Sequence, residues 1–352
     1  MKTYINGIGC VSAQKTDGDF ASGFHVNQAT NVLPIEKPEY KDYFSPIAAR
    51  RMSKAVKNGI VASTMAMKEA NLEMPGAIIT GTGMGCIEDS DKFLKAIIDN
   101  NEEFLTPTSF IQSTHNTVAA QIALGLECKA YNFTYVNAAV SFESALIDGK
   151  LQLDEGEADA VLIGGIDEMT DYTASLFKLA GFIKKDEEGS FPILESQTPG
   201  TVFGEGATFF VLESKKSATT YAEVVDIEIN NEIEADILQL KVFDFLSANG
   251  LGVDDIDLLV VGINGDAQFE EHYRELTQKQ FVHTPQAYYK HLSGEYNTAS
   301  AFGLYLAANV VKTQNVPPIV QVNGQTKPEY KNVLLYNHYR GIDHSFTLIS
   351  KA

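Results

Sequence analysis

One segment of this chain has the form of a platform for a catalytic nucleophile. Residues 133–136 predict a short strand, residues 137–139 a tight turn of small side chains, and residues 140–153 a helix. A strand–turn–helix elbow presents one side chain at a helix N-terminus, where the helix dipole and free N–H groups lower a thiol pKa and stabilise an oxyanion. The residue at the tip is Ala139. The segment therefore has the shape of a nucleophile site without the nucleophile.

Three other features invite a chemical interpretation. The glycine loop at 81–85 follows a predicted strand, but its spacing is G-x-G-x-G and no Walker lysine follows it. We interpret it as a structural turn rather than a phosphate cradle. Ser141 lies two positions beyond the elbow tip and would point elsewhere on the helix, and Cys86 is interpreted as a buried structural thiol.

The elements that position these residues alternate along the chain. Short apolar or β-branched runs are followed by longer helical patterns, which predicts an α/β fold with buried sheets. Strands are predicted at 5–11, 77–80, 133–136, 160–163, 207–212, 222–229 and 257–262, and helices at 52–70, 90–99, 117–124, 140–153 and 235–248.

The order of these elements indicates an internal repeat. A helix, an acidic turn, a buried strand and a glycine loop follow one another over 67–85, and again over 235–266. The polar stretch 214–220 between them is the candidate boundary. We therefore predict two similar halves, residues 1–214 and residues 215–352.

Composition excludes several classes of protein. The chain has 352 residues, of which 44% are hydrophobic and 21% charged, as is typical of a globular protein with two domains or two fused halves. The net charge of −19 argues against a nucleic-acid partner. Three cysteines, scattered histidines and the absence of CxxC or HExxH argue against a disulfide framework and a metal site. Without a membrane span or a secretory signal, we expect a cytoplasmic protein.

The segment around the elbow resembles the core of the beta-ketoacyl-ACP synthase family. In that family the elbow reads T-A-C and is followed by a G-x-A-D-x-x-L-x-G-G-x-[DE] run, at the same distance as residues 157–168 here. Residues 6–12 resemble its opening T-G-x-G-x-V-S, residues 81–85 its glycine loop and residues 203–207 its x-G-E-G-A motif. The resemblance is strongest over 1–214. It implies a thiolase-like, five-layer αβαβα fold, with a ketosynthase-like N-terminal half and a thiolase-like C-terminal half.

Carried over position by position, the resemblance implies a disabled catalytic site. The nucleophilic cysteine aligns with Ala139, and no cysteine occurs after position 128. The first catalytic histidine belongs to a run that here contains Asn264 and no histidine. The second aligns with His291, but the lysine five positions before it is replaced by Gln286, unless Lys290 takes its place.

The resemblance also implies an acyl pocket. Its predicted lining is Thr114, Ala139, Phe203, Asn264 and His291, with Thr114 where the family places a residue that limits acyl length. The C-terminal loop at 337–341 has lost most of the family's glycines, so a mobile gate is not expected there. No cofactor is implied.

Three functional hypotheses follow. Claisen condensation needs a thiolate to hold the acyl group and two histidines to stabilise the enolate. The leading hypothesis is therefore a non-condensing subunit, similar to a chain-length factor of fatty-acid or polyketide-type biosynthesis. The alternatives are a transferase or hydrolase of acyl thioesters that uses another catalytic group, and a homodimeric acyl-binding scaffold. Expected partners are a second copy or an active ketosynthase, through residues 117–135, with acyl carrier protein as a further candidate.

Overall fold

Both halves of the chain contribute strands to one mixed sheet. The computed structural model describes residues 1–16, 18–194 and 196–352. Its strands are β1 (Thr3–Val11), β2 (Ala77–Gly81), β3 (Tyr131–Tyr135), β4 (Ala160–Asp167), β5 (Gly206–Glu213), β6 (Ala222–Asn230), β7 (Leu258–Val261), β8 (Gln286–Tyr288), β9 (Asn332–His338) and β10 (His344–Ser350). Its α-helices are α1 (Pro46–Ala49), α2 (Lys54–Ala70), α3 (Ile87–Asp99), α4 (Pro107–Gln112), α5 (Thr117–Leu126), α6 (Ser141–Asp154), α7 (Asp171–Leu179), α8 (Leu238–Ala248), α9 (Glu270–Arg274), α10 (Lys290–Ser293) and α11 (Ser300–Thr313).

The strand order repeats between the halves. Across the sheet it is β3-β2-β4-β5-β1-β6-β10-β9-β7-β8. From its outer edge inward, each half of the sheet has the same order of strands. The third strand of that half in sequence lies at the edge, followed by its second, fourth, fifth and first strands. In each half the second strand pairs in parallel with the third and fourth, while the fifth strand is antiparallel to its neighbours. The predicted α/β fold of two similar halves is therefore confirmed.

The halves join where β1 pairs with β6, through Thr3 opposite Val224 and Ile5 opposite Ala222. Strand β5 ends at Glu213, so the predicted boundary at 214/215 falls in the segment that connects β5 to β6. The division of the chain into two domains at that point stays a prediction.

Three apolar clusters fill the space between the layers. One contains residues of α6 and α11 together with strands of both halves, so these two helices form the middle layer. A second packs α2 and α5 against the N-terminal half of the sheet. The third packs α8 and the segment 273–281 against the C-terminal half. Helices and half-sheets thus alternate in five layers, as expected.

Most predicted elements are present with shifted ends. The helix predicted from residue 52 begins at Lys54, because the Ser53 side chain accepts a hydrogen bond from the backbone N–H of Val56 and caps it. Helix α11 was not predicted, and it is buried on all sides from Ser300 to Val311, which removes the amphipathic pattern. No helix in the described part of the chain is long and apolar enough to cross a membrane.

Candidate functional site

The elbow is held in its shape by one serine and one glycine. The Ser141 hydroxyl accepts a hydrogen bond from the backbone N–H of Asn137 (2.8 Å) and donates one to the backbone oxygen of Ala138 (2.7 Å). Ala138 has a left-handed backbone with φ of 43°. A Cβ at Gly81 would lie 2.3 Å from the backbone oxygen of Ser141, so only glycine lets β2 approach the start of α6 this closely. The Ser141 hydroxyl thus makes its hydrogen bonds within the turn.

The tip of the elbow lies under the C-terminal hairpin loop. Ala139 is 2% exposed. The side chain of Asp343, just before β10, lies near the backbone N–H of Ala139. Burial raises the pKa of the Asp343 carboxyl, and the nearby N–H of Ala139 offsets part of the rise. The tip of the elbow is therefore buried, with a carboxylate of the C-terminal half near it.

A buried group of charged residues lies between the elbow and the C-terminal half. Lys290 donates to Glu295 Oε2 at 2.6 Å, and the Asn264 side-chain amide donates to the same oxygen at 2.7 Å. Glu143, one turn beyond Ala139, accepts from the Ser345 hydroxyl at 2.8 Å. Burial raises the pKa of Glu143, and hydroxyl groups and the charge of Lys290 counteract it. We call Lys290, Glu295, Asn264 and Glu143 the buried charge cluster.

His291 is turned toward the chain's own backbone. Its Nε2 lies 2.9 Å from the Ile319 carbonyl oxygen, and its ring stacks on Tyr288 with centroids 3.7 Å apart. Burial lowers the pKa of His291 to about 3, so the ring is neutral at physiological pH. Phe191 and Val202 share a small cavity with His291 and Tyr288, and Ala139 is not part of its lining.

The other predicted pocket residues, Phe203 and Thr114, lie in two different parts of the structure. Phe203 is buried, forms a β-bridge with Glu295 and packs against Phe177 with ring centroids 5.3 Å apart. The structure therefore brings Phe203 and Asn264 together at Glu295. Thr114 is exposed in the single chain, where its hydroxyl lies 3.0 Å from that of Thr117. A pocket that joins all five predicted positions stays a prediction.

The glycine loop is built around an internal carboxylate. Asp167, at the end of β4, accepts from the backbone N–H groups of Gly83 (2.9 Å) and Met84 (3.0 Å) and from the Thr82 hydroxyl. Its other oxygen accepts from the backbone N–H and the hydroxyl of Thr298. Burial raises the pKa of Asp167, and these donors lower it. The loop amides that a phosphate would need are thus already bonded, which agrees with a structural turn.

Glu168, the next residue, joins two helices. Its carboxylate accepts from the backbone N–H of Ala55 in the first turn of α2 (2.6 Å) and of Glu88 in the first turn of α3 (2.9 Å). Burial raises the pKa of Glu168 to about 7. Asp167 and Glu168, the acidic pair that follows the two glycines of β4, therefore both accept hydrogen bonds that stabilise the fold.

Cys86 is buried at the start of α3. Burial raises the pKa of its thiol to about 12, so almost no thiolate exists at neutral pH. A thiol in this state is a poor nucleophile. The interpretation of Cys86 as a structural thiol agrees with this environment.

Several residues at the site were not among those predicted. Glu143 and Glu295 belong to the buried charge cluster, Asp343 lies near the elbow tip, and Lys290 enters the sequence prediction only as a replacement for the missing lysine. Charged residues in the otherwise apolar stretch 287–296 were the one available signal, because a charge in a buried element needs a partner.

Comparison with known proteins identifies the family. The sequence model for the N-terminal domain of beta-ketoacyl synthase matches residues 11–218. The chain is 26% identical over 203 residues to 3-oxoacyl-[acyl-carrier-protein] synthase 2 of Staphylococcus aureus (strain N315), which covers 53% of this chain and 48% of that protein. The corresponding synthase 2 of Vibrio cholerae is 23% identical over 212 residues, covering 54% and 50%. The match thus spans about half the length of these curated relatives.

Solved structures resemble the whole chain. The ishigamide ketosynthase/chain length factor superposes with a TM-score of 0.82 at 19% identity, covering 100% of this chain and 99% of that one. A ketosynthase in complex with its chain length factor from Xenorhabdus doucetiae gives a TM-score of 0.76 at 14% identity, covering 100% and 98%. These likenesses show the thiolase-like fold over both halves. Together with the family match, they establish that the chain belongs to the beta-ketoacyl synthase family.

Proposed function

We propose that this chain is a non-condensing, ketosynthase-like subunit of fatty-acid or polyketide-type biosynthesis, which pairs with an active ketosynthase. The observation that carries the proposal is the alanine at the tip of an otherwise intact elbow. Alanine cannot form a thioester, and loss of a nucleophile typically lowers kcat by several orders of magnitude. The partner would supply the catalytic thiolate, while this chain would form part of the pocket wall and stabilise the complex.

The other candidate nucleophiles do not favour the alternatives. The Ser141 hydroxyl is bonded within the turn, and the Cys86 thiol is buried with a raised pKa. These contacts argue against a transferase or hydrolase that acts through either residue. The remaining alternative is a homodimeric scaffold, which differs from the leading proposal in the identity of the second chain.

An exposed apolar edge supports pairing with a second subunit. Strand β3 is the outermost strand of the N-terminal half, so one of its backbone edges is open. Phe133 is 45% exposed, and its ring stacks on that of Tyr131 with centroids 6.2 Å apart. Leu124 on α5 and Val136 are each more than half exposed. An open edge with apolar side chains is a site for association, and an obligate interface buries on the order of 2,000 Å² or more.

Two solved structures with this fold are assemblies of the proposed kind. One is a ketosynthase in complex with its chain length factor, and the other is a type II polyketide synthase acyl-carrier protein in complex with its ketosynthase. We propose the ketosynthase as the direct partner here. Acyl carrier protein would dock mainly on that partner, since carrier proteins are acidic and this chain has a net charge of −19.

Co-expression with a ketosynthase encoded beside this chain tests the proposal. We expect a one-to-one heterodimer by size-exclusion chromatography with mass measurement. Replacing Phe133 by glutamate should shift the complex to separate chains, because a charge would then lie in the apolar interface. Phe243→Glu, at a 51% exposed phenylalanine of α8, is the matched control and should leave the complex intact. A stable homodimer that does not exchange with the ketosynthase would support the scaffold instead.

A further inference from the structure

Three histidine rings lie together at the hairpin loop, residues 339–343, that connects β9 to β10. His338 ends β9, His344 begins β10, and the two are paired across the hairpin. His272 on α9 is the third. The ring centroids of His272 lie 5.0 Å from that of His338 and 5.1 Å from that of His344, and the last two are 5.4 Å apart. We call these three residues the histidine cluster.

Two of these rings hold the backbone of the loop at Gly341. The Gly341 N–H donates to His338 Nδ1 at 3.1 Å, so this nitrogen carries no proton. His344 Nε2 lies 3.2 Å from the Gly341 carbonyl oxygen, and since a carbonyl oxygen only accepts, this nitrogen carries a proton. Both polar groups of Gly341 are therefore satisfied by the buried rings of His338 and His344.

The remaining contacts of the cluster are with neutral groups. The Tyr336 hydroxyl lies 3.0 Å from His344 Nδ1 and donates to it in the neutral ring. His272 Nε2 lies 2.8 Å from the Ile233 carbonyl oxygen and therefore donates. In the described part of the chain, His338 Nε2 and His272 Nδ1 are buried and have no hydrogen-bond partner. No carboxylate there is bonded to a ring nitrogen, so the bonded groups do not stabilise a charge on the cluster.

The surroundings of the cluster also favour neutral rings. Burial lowers the pKa of His338 well below its ordinary value, and repulsion by the other two rings and by Lys290 lowers it further. Burial lowers the pKa of His344 to about 4. The other titratable or charged residues around the rings are Tyr336 on β9, Tyr273 on α9, Tyr339, Arg340 and Asp343 in the loop, and Asp266 before α9. Of the two carboxylates, that of Asp266 faces Arg340 at 3.6 Å.

We propose that His338 and His344 form an acid-sensitive latch that holds the hairpin loop closed. A proton on His338 Nδ1 would face the Gly341 N–H, donor against donor, and one on His344 Nδ1 would face the hydroxyl that now donates to it. Each ring takes up a proton more readily in an open loop than in the closed one. The closed loop is therefore favoured above about pH 6.5 and loses stability as the pH falls below that value.

Hydrogen exchange at the Gly341 amide measures the latch. With an ordinary histidine pKa of about 6.5 in the open loop, each ring should raise the opening equilibrium about tenfold between about pH 7.5 and 5.5. We therefore expect the protection factor of Gly341, taken relative to the intrinsic exchange rate at each pH, to fall about 100-fold over this range. The amide of Val260, in the buried strand β7, should keep its protection and so exclude global unfolding as the cause.

Two amide substitutions remove the titration and keep the hydrogen bonds. His338→Asn places an acceptor near the position of Nδ1, and His344→Gln places a donor near that of Nε2. Between about pH 7.5 and 5.5 we expect the protection of Gly341 to fall about tenfold in either single variant and to stay nearly constant in the double variant. His283→Asn, at an exposed histidine, is the matched control and should behave like the unsubstituted chain. A double variant that loses protection as steeply as the unsubstituted chain would overturn the inference.

The unsubstituted chain provides a second measurement if the double variant fails to fold. Side-chain nitrogen NMR at about pH 7.5 should show His338 and His344 as neutral rings with the proton on Nε2. A proton on Nδ1 of either ring at this pH would overturn the inference. Both measurements use the isolated chain, so their outcome does not depend on whether it pairs with a ketosynthase.

Discussion

Replacing Lys290 by methionine is expected to lower the free energy of unfolding by about 3–5 kcal/mol. The Lys290 and Glu295 side chains are 0% and 2% exposed, and Lys290 is the cation that neutralises Glu295 within hydrogen-bond distance. Burial lowers the pKa of Lys290, and the charge of Glu295 raises it. The charged form of each side chain therefore depends on the other. The single substitution would leave a carboxylate inside the core with one amide donor, Asn264.

A double substitution separates the loss of the charge from the loss of packing. In Lys290→Met/Glu295→Gln neither charge remains, and the glutamine oxygen still accepts from Asn264. We expect most of the lost stability to return, since replacing a buried ion pair by neutral groups of similar volume is often close to neutral. Urea unfolding at fixed protein concentration measures both changes, with Lys241→Met on α8 as the control. A single variant as stable as the unsubstituted chain would contradict the account of the buried charge cluster.

The second large effect is expected at Asp167. Substitution by alanine should cost about 3–5 kcal/mol, because it leaves the buried N–H groups of Gly83, Met84 and Thr298 without their acceptor. These donors belong to the glycine loop and to the segment before α11, so the change should loosen the contact between the two halves of the chain.

Asp159→Ala is the matched control for Asp167→Ala, because Asp159 is exposed and immediately precedes the same strand, β4. We expect that control to change the unfolding free energy by less than about 0.5 kcal/mol. Hydrogen exchange at Gly83 and Met84 gives a local measurement. Protection of these amides that is unchanged in Asp167→Ala would show that another group satisfies them.

The fold could be predicted well because its information is local. Strands β2, β4 and β7 are buried throughout, and their short apolar runs stand out between helical patterns. The same element order on either side of residues 214–220 predicted two similar halves, and the repeated strand order agrees. Helix α11 was not predicted, because a helix buried on every side has no polar face to mark its period.

The site could be predicted only in part because its contacts are not local. The elbow and its alanine tip are contiguous in the sequence. Glu143 and Ser345, in contrast, are 202 residues apart, and their hydrogen bond depends on how the two halves pack. The motif around His291 gave its position in the chain but not the direction of its ring, which the Ile319 carbonyl oxygen and Tyr288 hold.

Acylation of the assembled pair tests the central claim most directly. The purified heterodimer is incubated with acyl-ACP and malonyl-ACP, and the intact mass of each chain is measured during turnover. We predict an acyl thioester on the ketosynthase chain alone, while this chain keeps its unmodified mass, since its elbow carries Ala139 and its other candidate nucleophiles are buried or bonded. A covalent acyl adduct on this chain, at Cys86 or Ser141, would contradict the account.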